Sequence, residues 1–591
     1  MIDPYRMVFV NLTLVFILGC ALVFYRYVYP KKPLNLFIVL VVISILPVIS
    51  ILRTGTYESG DLTLHSVFLM SFYNSLKDGI LFPQWSGGLC GGYGCPVFIF
   101  EYNLPFYIAS VFHFFGFTPI DSIKLLLIFS YISSGITMYL WGKSEFGNVP
   151  GFVAAVLYLF APYHLLDMHF RVSVGEVLSF APIPLLFLFS KKLVVTGKSI
   201  YFLLLAISTA LLILSHTSTF QAMYPIVMIY TLFIFWRQKE RLVTRLVLFF
   251  LSTSIGLFLT SYFWFPALSE VMYTWYSENI PTGGYKPIVE YLYSPTMFGF
   301  LFQGNDGEHR LIIGYPHLAM IFFGMFLLWK RRIKSKYRPF LLSFIVLFFL
   351  LTFMMTQYSD ALWKTVPFIN NFALAWRLLV PITFITSTVA ALVVLTIKNK
   401  PFIVTLCVIT IFSTILNWGN RKMVPIDPNS FSTHWSLYTE YYEKGNPFYE
   451  KIYQQKSHLA PTFVLDRPKE PLEVLEGDAT LRQIERSSLS HEYVAHIKKH
   501  AVLQENTLYF PGWTVHANGT LVAINYEHPS KLGVITFNLP EGLYKLVVSF
   551  EDTKARHTGK SITYATSFVL GVIVVYMLAT SFCLDFFHKR R

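Results

Sequence analysis

Residues 8–52 read VFVNLTLVFILGCALVFYRYVYPKKPLNLFIVLVVISILPVISIL: two apolar runs, 8–25 and 33–52, parted by Arg26, Lys31 and Lys32. Roughly 17–25 apolar residues span the hydrocarbon of a bilayer, so each run is the length of a crossing. Short connectors rich in Lys and Arg mark the cytoplasmic side. The pattern recurs at 120–141, 150–165, 176–190, 199–215, 217–236, 243–265, 315–330, 338–356, 377–397, 401–418 and 562–584. The 591 residues are 54% hydrophobic and 14% charged, against roughly 25% charged in soluble domains. This is the composition of a polytopic α-helical membrane protein with about thirteen spans.

The net charge of +14 is a topology signal and carries no indication of nucleic acid. Its cations gather in connectors: Lys191, Lys192 and Lys198; Arg237, Lys239, Arg241 and Arg245; Lys330 to Arg338; Lys398 and Lys400; and the tail Lys589, Arg590, Arg591. With these inside, 53–103, 166–174, the turn at His216, 266–314, 357–376 and 419–560 lie outside. A crossing at 104–117 would move every later basic connector outside, so that segment reads as a short interfacial or re-entrant helix. The first apolar run has no basic leader or small-residue cleavage site, so no cleavable signal is expected.

Three parts follow: a multi-span membrane domain, 1–418, with the outside loop 53–103; an extracytoplasmic domain, 419–560; and a final transmembrane anchor with a basic tail, 561–591. Beyond residue 419 charges become frequent and Pro425, Pro428 and Pro447 interrupt helices. From 502 to 550 the sequence alternates as strands do. Asn518-Gly519 between apolar runs predicts a hairpin, and Pro540-Glu541-Gly542 a second turn.

The chemistry sits in the outside loops. Asp61 opens a helical pattern, LTLHSVFLMSFYNSLKDG, with His65 one turn along. Either Asp61 caps that helix, or Ser59 caps it and leaves a carboxylate, with Glu58 beside it, to act as a base. Phe82 to Phe117 reads FPQWSGGLCGGYGCPVFIFEYNLPFYIASVFHFFGF; Cys90 and Cys95 in its glycine turn are either a disulfide or two thiols. In HLLDMHFRVSVGE, Arg171 suits bidentate phosphate binding or snorkels to the interface, and Glu176 fits a capping box. Arg377 opens a span beside Trp376, and His216 sits in the turn SHTST. His164, Asp167 and His169 match no standard zinc or calcium spacing, so neither a metal nor another cofactor is assigned. There is no nucleotide-binding loop.

The W, GyGyP and aromatic run of 82–117, with Gly60-Asp61, LYLFAPYHLLDMHFRVSVGE, SHTST and YFPGW (Tyr509 to Trp513), resembles the family labelled 6-pyruvoyl-tetrahydropterin synthase-related membrane protein. That family is grouped with the GT-C membrane glycosyltransferases. The resemblance implies a GT-C-like fold in the cell membrane and transfer of a sugar from a polyprenyl-phosphate-linked donor to an extracytoplasmic glycan, lipid or protein. It implies Asp61 as the base, supported by Glu58 and His65, and Arg171 and Arg377 as holders of the donor phosphate. Trp85, Tyr93, Glu101, Glu176 and His216 would line the substrate site. The chain differs from the pattern in having two spans before the acidic loop and no paired-acid DxD. A lipid or glycan transporter, and a non-catalytic assembly protein, are the alternatives from other classes.

Overall fold

The computed structural model describes residues 6–237, 242–274, 283–293, 311–365, 372, 374–415, 418–419, 423–424, 470–530 and 532–588. Outside them lie Lys239 and Arg241, parts of the loops 266–314 and 357–376, residues 425–469 with Pro425, Pro428 and Pro447, and the tail Lys589–Arg591. Seven described helices are long and apolar enough to cross a membrane, or up to nine if each of two bent pairs is one crossing. The windows 33–52, 199–215, 315–330 and 401–418 fall on apolar helices of 10–17 residues, so helix length alone does not reach thirteen crossings. Leu104–Phe114 has 11 residues, about half of what a bilayer needs.

The chain divides into two compact units, the first comprising Met1–Leu62, Ile120–Leu257 and Pro281–Pro425. Its axis is the helix Leu379–Ile397, in which every residue from Leu379 to Val394 is buried. A helix apolar all round belongs inside a bundle, and Asn148–Leu159, Tyr315–Trp329 and Arg338–Met354 pack against it. Its threonines are served locally: Thr386 and Thr388 donate to the carbonyls of Ile382 and Phe384, the usual fate of a hydroxyl in an apolar helix. Phe384 meets Phe187 and Trp141 at 4.3 and 4.9 Å between ring centres.

Pro119–Phe146 and Asn148–Leu159 touch through glycines: a Cβ on Gly142 would stand 2.8 Å from the Gly151 Cα. Small residues give such close backbone approach in apolar bundles. Glu145, near the end of the first of these two helices, takes Lys191 at 2.9 Å and the Tyr230 hydroxyl at 2.9 Å. After Asn148–Leu159 the chain bends by 44° into Pro162–Arg171. Pro162 causes the bend, since it lacks the amide that would continue the ladder. Two short strands, β1 (Thr56–Tyr57) and β2 (Met423–Val424), pair antiparallel with Thr56 opposite Val424.

The second unit comprises Thr63–Pro119, Phe258–Ile280 and Ile426–Arg591. It holds an antiparallel sheet of β3 (Leu472–Arg486), β4 (Ser490–Leu508), β5 (Trp513–Ala517), β6 (Thr520–Val522), β7 (Val534–Leu539) and β8 (Gly542–Phe550) in the order β3-β4-β8-β5-β6. The 19-residue β4 is its spine. The first half of β4 pairs β8, with Tyr493 opposite Leu546, and the second half pairs β7, with Leu503 opposite Phe537. Asn518 and Gly519 have φ of +49° and +81° between Ala517 and its partner Thr520, the conformation a two-residue hairpin demands. Pro540-Glu541 turns a corner instead, because β7 and β8 lie end to end along β4. The sheet begins at Leu472, thirty residues before the expected 502. The bulges of β3 break the alternation that would have revealed it.

The Gly-rich loop is fixed within this unit. Trp85 is buried against Trp513 and Phe550, with centroids 5.3 and 5.0 Å away. Gly94 has φ +78°, and a Cβ there would lie 2.6 Å from the Trp85 indole nitrogen, so only glycine fits beneath that ring. The Leu508 amide of β4 donates to the Tyr93 carbonyl at 2.9 Å. The final helix, Lys554–His588, carries the buried Arg556 in its first turn. Its guanidinium donates to Glu270 at 2.9 and 3.1 Å and to the Pro511 carbonyl at 2.6 Å, which is the packing reason for YFPGW.

Candidate functional site

In the first unit the site is built on a broken helix. Pro162–Leu166 runs into the π-helical turn Asp167–Arg171, a wide turn that is common at functional sites. The Asp167 carbonyl takes the Ser173 amide at 3.2 Å. Val172 is left-handed at φ +58°, a genuine outlier for a β-branched residue and a strain of about 1–3 kcal/mol. That turn brings Asp167 and Arg171 together with Glu176 of the following helix Val174–Ser179.

Arg171 Nη1 donates to Asp167 Oδ1, to Glu176 Oε2 at 3.0 Å and to the Tyr163 hydroxyl at 3.0 Å. Tyr163 in turn donates to Glu176 Oε1 at 2.5 Å. Both carboxylates have no exposed side-chain surface, while Arg171 retains 15%. Its guanidinium lies 4.2 Å from the Trp376 ring centroid, a cation–π contact. Every ion pair uses Nη1; among the described residues, Nε and Nη2 of Arg171 make no hydrogen bond. Arg377 is within electrostatic reach of Asp167 and Glu176, and His216 of Glu176. Arg377 Nε is buried with no hydrogen-bond partner among the described residues. Arg171 thus pairs with two carboxylates while Arg377 stands within electrostatic reach of them, and guanidinium nitrogens are left over.

The acidic loop docks on this turn by its backbone. The Gly60 amide donates to the Phe170 carbonyl at 2.7 Å and the Asp61 amide to the Arg171 carbonyl at 2.9 Å. A Cβ on Gly60 would meet the Arg171 carbonyl oxygen at 2.9 Å, so the dipeptide GD is needed for the fit. Ser59 Oγ accepts the Leu62 amide at 3.2 Å, giving the helix Leu62–Lys77 a serine at its start. Glu58 is exposed and Asp61 half-buried.

The structure therefore gathers Asp61, Arg171, Glu176, His216 and Arg377 in one unit. His216 caps the next helix: its Nδ1 accepts the Thr219 amide at 3.3 Å. His164 stacks on Phe180, 3.9 Å between centroids. Sequence reasoning missed Tyr163 and the pairing of Asp167 with Arg171, although their i, i+4 spacing was a readable signal.

Trp85, Tyr93, Glu101 and His65 belong to the second unit. Trp85 and Tyr93 line a cavity of about 260 Å³. Glu101 is half-buried just beyond the helix Val97–Phe100. His65 packs on Phe68 and Phe106 at 6.3 and 6.0 Å, and burial pushes its imidazole down to about 3, so it is neutral. Behind the cavity, Glu505 takes Arg486 Nη1 at 2.6 Å, His491 Nδ1 at 2.9 Å and the Tyr493 hydroxyl at 3.1 Å. Burial would raise the Glu505 carboxyl, but His491 and Arg486 outweigh it and hold it at about 2. No sequence motif announced that network.

Many apolar helices, a broken helix carrying buried charge and an appended sheet define an integral membrane protein. The profile of the family described as "6-pyruvoyl-tetrahydropterin synthase related domain; membrane protein" matches residues 100–421, and the chain belongs to that family. An uncharacterised protein of Lactococcus lactis subsp. cremoris (strain MG1363) is 25% identical over 354 residues, 57% of this chain and 55% of that protein. The chain thus spans about half the length of that curated relative. Among solved structures, the arabinofuranosyltransferase AftD from mycobacteria is similar at 15% identity and a TM-score of 0.39, over 66% of this chain and 28% of that one. ArnT from Cupriavidus metallidurans, bound to undecaprenyl phosphate, is similar at 11% identity and a TM-score of 0.29, over 61% of this chain and 77% of that one.

Proposed function

We propose that the protein is a membrane glycosyltransferase that moves a sugar from a polyprenyl-phosphate-linked donor to an extracytoplasmic acceptor. The observation that carries this is the docking of Gly60-Asp61 on the Phe170-Arg171 backbone. It joins the acid and the arginine that the GT-C resemblance singles out, which are far apart in sequence. The acceptor hydroxyl attacks the anomeric carbon of the sugar, and the bond from that carbon to the phosphate oxygen breaks. Asp61 takes the hydroxyl proton, and polyprenyl phosphate leaves with the electron pair. Arg171, through Nε and Nη2, and Arg377 hold the departing phosphate. With its Nη1 charge already balanced by Asp167 and Glu176, Arg171 is fixed in place before the donor arrives.

Under this reading the protein sits in the cell membrane with the acidic loop and the sheet outside, as the basic connectors favour. Residues 419–560 form the outside domain, and 561–591 the anchor and tail. The test is sugar transfer by the purified chain in lipid vesicles supplied with polyprenyl-phosphate sugars. Asp61→Asn keeps the shape and loses the base, so the rate should fall by about 100-fold or more with donor binding retained. Transfer at the unaltered rate would remove Asp61 from the mechanism.

A further inference from the structure

Tyr163 lies at the start of the broken helix, in Pro162–Leu166, and is almost wholly buried. Its ring meets the Trp376 ring edge-on at 6.3 Å, and the Arg171 guanidinium stands 5.9 Å from its centroid. The hydroxyl stands between two charges. It accepts from Arg171 Nη1 at 3.0 Å and donates its single proton to Glu176 Oε1 at 2.5 Å.

Holding two neighbours is a packing role, but the geometry of Glu176 gives the hydroxyl a further one. A carboxylate beside a guanidinium commonly takes two parallel N–H···O bonds, one on each oxygen. Glu176 does not. Its Oε2 takes Arg171 Nη1 at 3.0 Å and the Ser173 hydroxyl at 3.5 Å, while Oε1 is held by the tyrosine. Asp167 also comes to Nη1. Among the described residues, Arg171 Nε and Nη2 make no hydrogen bond, and the side chain keeps 15% of its surface. Without the hydroxyl, Oε1 would be a buried charged acceptor with no donor, a costly state. The other nitrogen of the same fork, Nη2, would satisfy it.

We infer that Tyr163 is a positioning residue: by occupying Glu176 Oε1 it keeps the second arm of Arg171 open for an anion. Under the function proposed above, on which this rests, the anion is the phosphate of the lipid-linked donor. Tyr163 acts through Glu176 and Arg171 and does not itself touch the phosphate.

The test is a double-mutant cycle, read by native mass spectrometry of the full chain in lipid nanodiscs. The probes are undecaprenyl phosphate and undecaprenol, which share a chain and differ in the anion. Tyr163→Phe keeps the ring and removes the hydroxyl. Affinity for undecaprenyl phosphate should fall about tenfold, the worth of one hydrogen bond to a charged group, with undecaprenol unchanged. Glu176→Gln removes the carboxylate that would capture Nη2, so in that background Tyr163→Phe should change phosphate affinity by less than about twofold. Should Tyr163→Phe alone fold poorly, Glu176→Gln with and without it decides the matter, because no charge is then stranded at Oε1. Undiminished phosphate affinity in a folded Tyr163→Phe protein would overturn the inference. So would an equal loss in both backgrounds, since the hydroxyl would then touch the phosphate itself or serve the fold alone. Either result leaves the enzyme reading standing where the unmodified chain binds the phosphate lipid. An unmodified chain with no preference for undecaprenyl phosphate over undecaprenol would sink the donor site, and the inference with it.

Discussion

Arg171 makes all its ion pairs through Nη1, and that asymmetry governs what its substitutions do. Arg171→Lys keeps a cation for Asp167 and Glu176 but loses the second arm, so it should fold and transfer sugar about tenfold more slowly or worse. Arg171→Ala strands two fully buried carboxylates, a cost of about 3–5 kcal/mol, and should be recovered in low yield. A well-folded Ala variant with full activity would show that Arg171 serves neither structure nor donor. Acid should weaken the fold in two steps. His65, neutral when buried at about 3, costs stability as pH falls from its free value of about 6.5, because the unfolded chain takes up the proton first. Glu505, held at about 2, contributes roughly 3 kcal/mol above its free value near 4.5, lost as pH falls through that window. The apparent melting midpoint should therefore drop from pH 6.5 to 4.5 and again below 4.5. His65→Leu should make the decline shallower all the way from pH 6.5 to about 3, while the additional loss from Glu505 below 4.5 remains; an unchanged decline above 4.5 would contradict the assignment.

At the scale of elements, the long apolar helices were legible because nothing else accounts for such runs, and Asn518-Gly519 because its turn chemistry is local. The π-helical turn at Asp167–Arg171 was not legible, since an extra residue in a turn leaves no pattern of period. β3 was hidden by its bulges. Glycine gave more than was taken from it: Gly60 was read only as the neighbour of Asp61, whereas it is where two backbones meet. Gly60→Ala should cost about 1–3 kcal/mol through overpacking and should reduce transfer more than an alanine at the exposed Gly19, where a Cβ meets nothing within 4 Å. Equal activity of the two variants would show that the dipeptide is not docked as described.

For the molecule as a whole, the membrane class, the family and the C-terminal sheet could be read from composition and motif. The long-range pairs could not: Glu270 with Arg556 and Arg486 with Glu505 are charges whose partners only the fold supplies. The central claim is that Arg171 and Arg377 hold a lipid phosphate beside Asp61. It is tested most directly by an experimental structure of the full chain with bound polyprenyl phosphate. The account expects a phosphate oxygen within hydrogen-bond distance of Arg171 Nε or Nη2 and of Arg377, with Asp167 and Glu176 still on Nη1. A phosphate seated away from both arginines would contradict it.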